Sequence, residues 1–333
     1  VLGKTMFVGS SANDSVVALD TETGQERWRF YADGPVRFAP AAWEGRVYFG
    51  SDDGRLYCLR ADDGRLVWSL PIAPSPRKVL GNGRLISVWP VRGGPVVADG
   101  VVYFAAGVWP FEGIFFGAAD AQTGKLLWLN DRIGSRYVEH PHAAMSFGGP
   151  SPQGYLVIQG NEVIVPGSRS FPAALDRRTG ELTHFEFGHG GFGSRPGSWF
   201  LATEAGRLCV DPEINTGIHD GGQQIIGQAG PIRKKDEQIP AEIRIGQRTY
   251  RIRPGIAQAI TAGGREYRFA DGFPGVEGRV HSMLAADGKL FVVSRSGPIY
   301  CFASGEAPPI RHVPAVPPLP PTQDSWQERA TEI

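Results

Sequence analysis

The chain has 333 residues, with 34 Lys and Arg balanced against 34 Asp and Glu. That balance excludes a global pull toward nucleic acid or an anionic membrane, and no apolar run is long enough to span a bilayer. The 45 glycines and 27 prolines point to many tight turns, and three scattered cysteines exclude a disulfide framework.

In chain order, a first strand falls at Gly3-Lys-Thr-Met-Phe-Val8, with no innermost strand before it. The motif Ala18-Leu-Asp20-Thr-Glu-Thr-Gly24-Gln-Glu-Arg-Trp28 follows. It returns as Cys58-Leu-Arg60-Ala-Asp-Asp-Gly64-Arg-Leu-Val-Trp68 and as Ala118-Ala-Asp120-Ala-Gln-Thr-Gly124-Lys-Leu-Leu-Trp128. A weaker copy runs from Ala174 through Gly180 to His184. Each copy reads as a hairpin corner. A small residue closes one strand, a polar cluster turns the chain, Gly supplies positive φ, and the next strand carries the Trp. Trp28, Trp68 and Trp128 are read as knobs packed between neighbouring sheets rather than as ligand-stacking groups.

About 20 residues before each motif a turn Gly opens an apolar strand: Gly45–Gly50, Gly100–Phe104, Gly160–Val165, Gly206–Val210 and Gly288–Val293. Repetition on this scale predicts an all-β β-propeller of four-stranded blades over residues 1–305, with about six blades visible. The half-blade start and the N-terminal Val1 suggest a fragment of a longer protein whose ring has seven or eight blades. Cys58, Cys209 and Cys301 are expected to be small buried strand residues, Cys58 and Cys301 in the slot held elsewhere by Ala.

The rhythm breaks over residues 213–276, read as a β-hairpin-rich insertion. Two similar stretches begin at Gly246 and Gly263, 17 residues apart, and residues 231–270 hold nine Lys and Arg against four Asp and Glu. A solvated hairpin face is the plainer reading of that charge, a basic docking surface the functional one. From Pro308 to Pro321 seven prolines make a semi-extended linker. Ser325-Trp-Gln-Glu328 then has the spacing of a helix start. Residues 306–333 are therefore expected to lead into a further covalently linked domain after Ile333.

A ligand site is expected where the innermost strands begin. The position three before each strand-opening Pro or Ser is Arg37, Arg92, Gly149, Arg195 and Arg279, so four blades place Arg at one slot. Converging guanidiniums would hold a small anionic ligand at the channel mouth. Pairing of each Arg with an acid such as Asp33 or Glu277 is the structural alternative. His140-Pro-His142, beside Glu139, is the one close histidine pair and is not read as a metal site. His189 lies in a glycine-rich loop without the strand and helix of a phosphate-binding turn.

The motif Ala-x-Asp-x-x-Thr-Gly-x-x-x-Trp resembles the tryptophan-docking repeat of pyrroloquinoline-quinone (PQQ)-type propellers, over about residues 1–212 and 277–305. That family holds quinoprotein dehydrogenases and cofactor-free relatives. The resemblance implies a periplasmic or otherwise extracytoplasmic bacterial protein. The dehydrogenases add adjacent cysteines, a Trp platform, a calcium held by Glu, Asn and Asp, and a catalytic Asp. None of these is matched residue by residue here, so no family site is carried over. The expectation is a non-catalytic binding or scaffold module without cofactor, with a protein partner or small anion at the channel mouth. The alternative is a dehydrogenase using PQQ with calcium.

Overall fold

A computed structural model describes residues 1–81, 83–134, 136–139, 145–152, 154–166, 172–185, 201–204, 207–210, 242–245, 248–252, 259–304 and 310–313. Strands β1 (Thr5–Ser10), β2 (Ser15–Asp20) and β3 (Glu26–Tyr31) form the first blade. The second is four-stranded: β4 (Ala41–Trp43), β5 (Arg46–Gly50), β6 (Arg55–Arg60) and β7 (Leu66–Pro71). A hairpin of β8 (Lys78–Gly81) and β9 (Arg84–Ser87) leads to the third blade. That blade comprises β10 (Gly93–Ala98), β11 (Val101–Ala106), β12 (Phe115–Asp120) and β13 (Leu126–Asn130). A second hairpin, β14 (Arg136–Glu139) with β15 (Met145–Gly148), precedes the short β16 (Gly154–Tyr155). Neither hairpin is expected from the repeat.

Blade four is β17 (Val157–Gln159), β18 (Glu162–Val165), β19 (Ala173–Asp176) and β20 (Leu182–His184). Blade five shows β21 (Leu201–Glu204) and β22 (Arg207–Val210), beside which the insertion places the hairpin β23 (Glu242–Ile245) and β24 (Arg248–Ile252). Here β24 runs parallel to β22 and takes the third place in that sheet. A further hairpin, β25 (Ala259–Ala262) and β26 (Arg265–Arg268), matches the second of the two similar stretches. The sixth blade holds β27 (Val280–Ala286), β28 (Lys289–Ser294) and β29 (Ile299–Phe302).

The innermost strands touch in sequence, β4 with β10, β10 with β17 and β17 with β21. Thr21 of blade one donates to Asp287 of blade six at 2.6 Å. Blades one and six therefore touch.

The repeated motif makes the joints. Trp28 Nε1 donates to the Ala61 carbonyl at 3.0 Å, Trp68 to Ala121 at 3.2 Å and Trp128 to Arg177 at 3.0 Å, each one blade further on. Each indole lies on the motif Gly of that next blade. A Cβ on Gly64, Gly124 or Gly180 would come 2.6, 2.6 or 2.4 Å from the ring, and these glycines have φ of +71°, +72° and +73°. The slot opposite each Trp must be small, and Ala18, Cys58 and Ala118 are wholly buried there. Cys58 is therefore packed as the sequence suggests. Cys301 is exposed, which corrects its expected burial: among the described residues no Trp strand lies across β29. The side chain of Cys209 falls outside the described residues.

The aspartates at the corners hold the turns. Asp20 accepts the N–H groups of Glu22 and Thr23, Asp120 those of Gln122 and Thr123, and Asp176 those of Arg178 and Thr179. The Arg27 side chain, with those N–H bonds, holds Asp20 well below the usual carboxylate range. Thr123 lowers the pKa of Asp120, and the Arg178 and Thr179 N–H groups lower that of Asp176.

Two predictions follow from these joints. Gly124→Ala must accommodate both positive φ and the Trp68 ring and should cost about 2–4 kcal/mol. Gly45→Ala, with φ of +71° and open space around it, should cost about 1 kcal/mol. Urea unfolding of both variants measures the indole contact as the difference. Because the corner carboxylates titrate below their unfolded value of about 3.9, their contribution is present above that pH and is lost as pH falls below it. The melting temperature should fall from pH 5 to pH 3. Asp120→Asn, which keeps the accepting oxygen, should lessen that fall, and Asp120→Ala should lower stability at both pH values.

Candidate functional site at the channel mouth

The β5–β6 turn carries Ser51-Asp-Asp-Gly54, and its backbone ties three segments together. Asp52 N–H donates to the Pro35 carbonyl at 2.9 Å, Ser87 N–H to the Asp52 carbonyl at 2.7 Å, and Val91 N–H to the Ser51 carbonyl at 3.0 Å. The chain leading into β4 and the chain leading into β10 are thereby held against one turn. Arg37 and Arg92 stand on those two chains.

Both guanidiniums reach the same carboxylate. Arg37 Nε donates to Asp52 Oδ2 at 2.6 Å, and Arg92 donates through Nε to Oδ1 at 3.0 Å and through Nη2 to Oδ2 at 2.9 Å. Asp52 is 1% exposed, while the Arg37 and Arg92 side chains are 19% and 13% exposed. Two cations thus share one buried anion. Among the described residues no hydrogen bond uses the Nη atoms of Arg37 or Nη1 of Arg92. The next residue, Asp53, is engaged separately by the Tyr57 hydroxyl at 2.6 Å and the N–H groups of Arg55 and Asp33. Burial raises its pKa against these bonds.

The register slot behaves differently in the other blades. Gly149 has no room for a side chain, because a Cβ would lie 2.4 Å from the Ile133 carbonyl oxygen. Arg279 is exposed ahead of β27, with its carbonyl accepting Arg295 N–H at 2.8 Å, and shares no described partner with the Arg37–Arg92 pair. Arg195, His140, His142 and His189 lie outside the described residues. The acid that pairs Arg37 and Arg92 is Asp52, not Asp33. In the sequence it is one of many turn aspartates, and only the chain crossing reveals it.

A fifth strand lies beside β10. β16 pairs with it in parallel, Gly93 opposite Gly154 and Gly94 opposite Tyr155. Gly94 is required by close approach, since a Cβ would lie 2.5 Å from the Tyr155 ring. Tyr155 then accepts Ala39 N–H at 3.1 Å and meets Phe38 edge-on at 5.3 Å. Segments before blades two and four are therefore linked over blade three, next to Arg37.

The segments between blades carry exposed apolar groups: Leu80 and Leu85 on β8–β9, Trp109 and Phe111 on the Pro110–Glu112 turn, Tyr137 and Phe147 on β14–β15. The hairpins are anchored. Arg84 pairs with Asp14 of blade one, Arg77 pairs with Glu112, and β15 touches the Pro110–Glu112 turn. Among the described residues no group of three His, Cys, Asp or Glu is placed to hold a metal ion, and no helix is long and apolar enough to cross a membrane.

These blades, docked indole to glycine, define a β-propeller built from PQQ-like repeats. A family model described as outer membrane protein assembly factor BamB matches residues 1–88 and 44–187, more than half of the chain. The chain belongs to this PQQ-like repeat family. The dehydrogenase subunit of the quinone alcohol dehydrogenase of Gluconobacter oxydans is 38% identical over 123 residues, which cover 33% of this chain and 16% of that protein. BamB of Yersinia pestis is 30% identical over 130 residues, 38% of this chain and 30% of that protein. The chain spans less than a third of the length of these curated relatives. Among solved structures, BamB from Moraxella catarrhalis aligns over 91% of this chain and 70% of its own, at 16% identity and a TM-score of 0.48.

Breaking the shared carboxylate tests the charge arrangement. Asp52→Asn leaves two guanidiniums half-buried without an anion and should cost about 3 kcal/mol. Arg37→Gln keeps the bidentate Arg92 pair and should cost about 1 kcal/mol. Combined with Asp52→Asn, Arg37→Gln should restore part of the loss, as read by urea unfolding in a double-mutant cycle.

Proposed function

We propose that this propeller is a non-catalytic binding or scaffold module of a larger extracytoplasmic bacterial protein, engaging a protein partner at the channel mouth. The observation that carries this reading is the set of exposed aromatic and aliphatic side chains, held in place by ion pairs to blades one and three. Apolar groups presented on braced hairpins are what a partner surface needs. The excess positive charge of the Arg37–Asp52–Arg92 cluster adds an anionic contact, from the partner or from a small ligand.

A second reading, a dehydrogenase using PQQ with calcium, is favoured by the match to the quinone alcohol dehydrogenase subunit and by the open donors of Arg37. The described residues fit that cofactor poorly. Trp28, Trp68 and Trp128 are committed to neighbouring blades, and the Asp52 and Asp53 carboxylates are already taken by Arg, Tyr and N–H donors.

Titration with PQQ and calcium, followed by absorbance and dye-linked alcohol oxidation, separates the two. The scaffold reading expects neither stoichiometric binding nor dye reduction. Both together would overturn it. In capture from a periplasmic extract, Phe111→Ser with Phe147→Ser should release a specific partner while the melting temperature stays within a few degrees.

A further inference from the structure

The three indole grooves share one construction. Each has a motif Gly with positive φ, and the carbonyl three residues before it accepts the indole N–H: Ala61 for Gly64, Ala121 for Gly124, Arg177 for Gly180. Blade one carries the same construction at Thr21 and Gly24, with φ of +73°. It faces blade six, as the Thr21–Asp287 bond shows. On Gly24 lies the smaller ring of His312, whose Cδ2 would be 2.8 Å from an added Cβ. Its neighbours Ile310 and Val313 are 74% and 72% exposed.

The strand beside the groove repeats the register of the other blades. Cys301 lies opposite Phe291, as Ala18 lies opposite Phe7, Cys58 opposite Tyr48 and Ala118 opposite Tyr103. It therefore occupies the slot that a Trp strand covers in the first three blades. Among the described residues β29 pairs with β28 alone.

The geometry points to a docking site between blades six and one for an extended segment of a partner protein that carries a tryptophan. The segment adds to β29 as an antiparallel fourth strand, with its Trp opposite Cys301. Its indole replaces His312 on Gly24, and its Nε1–H donates to the Thr21 carbonyl. Main-chain hydrogen bonds along β29 supply affinity, and the indole groove selects the side chain. The site continues the interface that this chain already builds three times within itself. This inference rests on the reading of the propeller as a protein-binding module and names one place where binding occurs.

The thiol of Cys301 reports on the site directly. Alkylation with iodoacetamide, followed residue by residue by mass spectrometry, is run on the whole chain with and without the peptide Gln-Glu-Arg-Trp-Arg-Phe-Tyr, the sequence of residues 25–31. Cys301 should react readily in the free protein, and saturating peptide should slow it at least tenfold. The same peptide with Trp replaced by Ala should not. His312→Ala should lower the peptide concentration needed several-fold, and unreactive Cys58 in that variant certifies an intact fold. A Cys301 that is slow without peptide, or one that reacts at the same rate with peptide in both proteins, would overturn the proposal. The PQQ titration fails or succeeds on a separate readout, so loss of the scaffold reading and loss of this site are distinguishable.

Discussion

The indole of one blade resting on the glycine of the next is the contact on which the remaining structure depends. A tryptophan brings a large apolar face together with one polar hydrogen that must be satisfied when covered. Here the face meets backbone that lacks a side chain, and the N–H finds a carbonyl three residues away on the same turn. One short motif therefore sets both the distance between sheets and their rotation. A four-stranded sheet has two apolar faces and cannot cover either alone. The repeated joint lets each sheet cover its neighbour, so stability accrues from interface to interface.

With the corners committed to packing, the segments between blades are free to carry irregular structure. There the chain places β8–β9, the Pro110–Glu112 turn and β14–β15, and there Arg37 and Arg92 share Asp52. Sharing has a definite electrostatic result. One carboxylate lowers the cost of holding two guanidiniums near each other but leaves a unit of positive charge facing the mouth. Lining up the repeats brings these arginines into register; the acid between them comes from a turn whose sequence has no distinguishing mark.

The same contrast runs through the chain. Ala18-x-Asp20 to Trp28 and its copies were legible because the joint is local: Gly, small residue and Trp stand at fixed separations on one hairpin. The hairpins at Gly246 and Gly263 were legible from alternation. The β8–β9 and β14–β15 hairpins were not, since a few apolar residues between repeats have no period of their own. The exposure of Cys301 is illegible in the sequence for a related reason. Its slot is defined by register, but burial depends on whether another strand crosses it, and that is decided by residues farther along. Gly149 interrupts the row of arginines because the backbone at Ile133 passes too close, which no pattern of side chains could announce.

The crossing of Tyr155 has a consequence for how the ring comes apart. In a chain of repeats each unit feels only its two neighbours, and unfolding can start at an end and proceed one unit at a time. Tyr155, with β16 along β10, joins the approach to blade two with the approach to blade four. That bond couples second neighbours. Blade three cannot open without losing a contact that belongs to the blades on either side, so the stretch from blade two to blade four is bound into a single cooperative unit inside a modular ring.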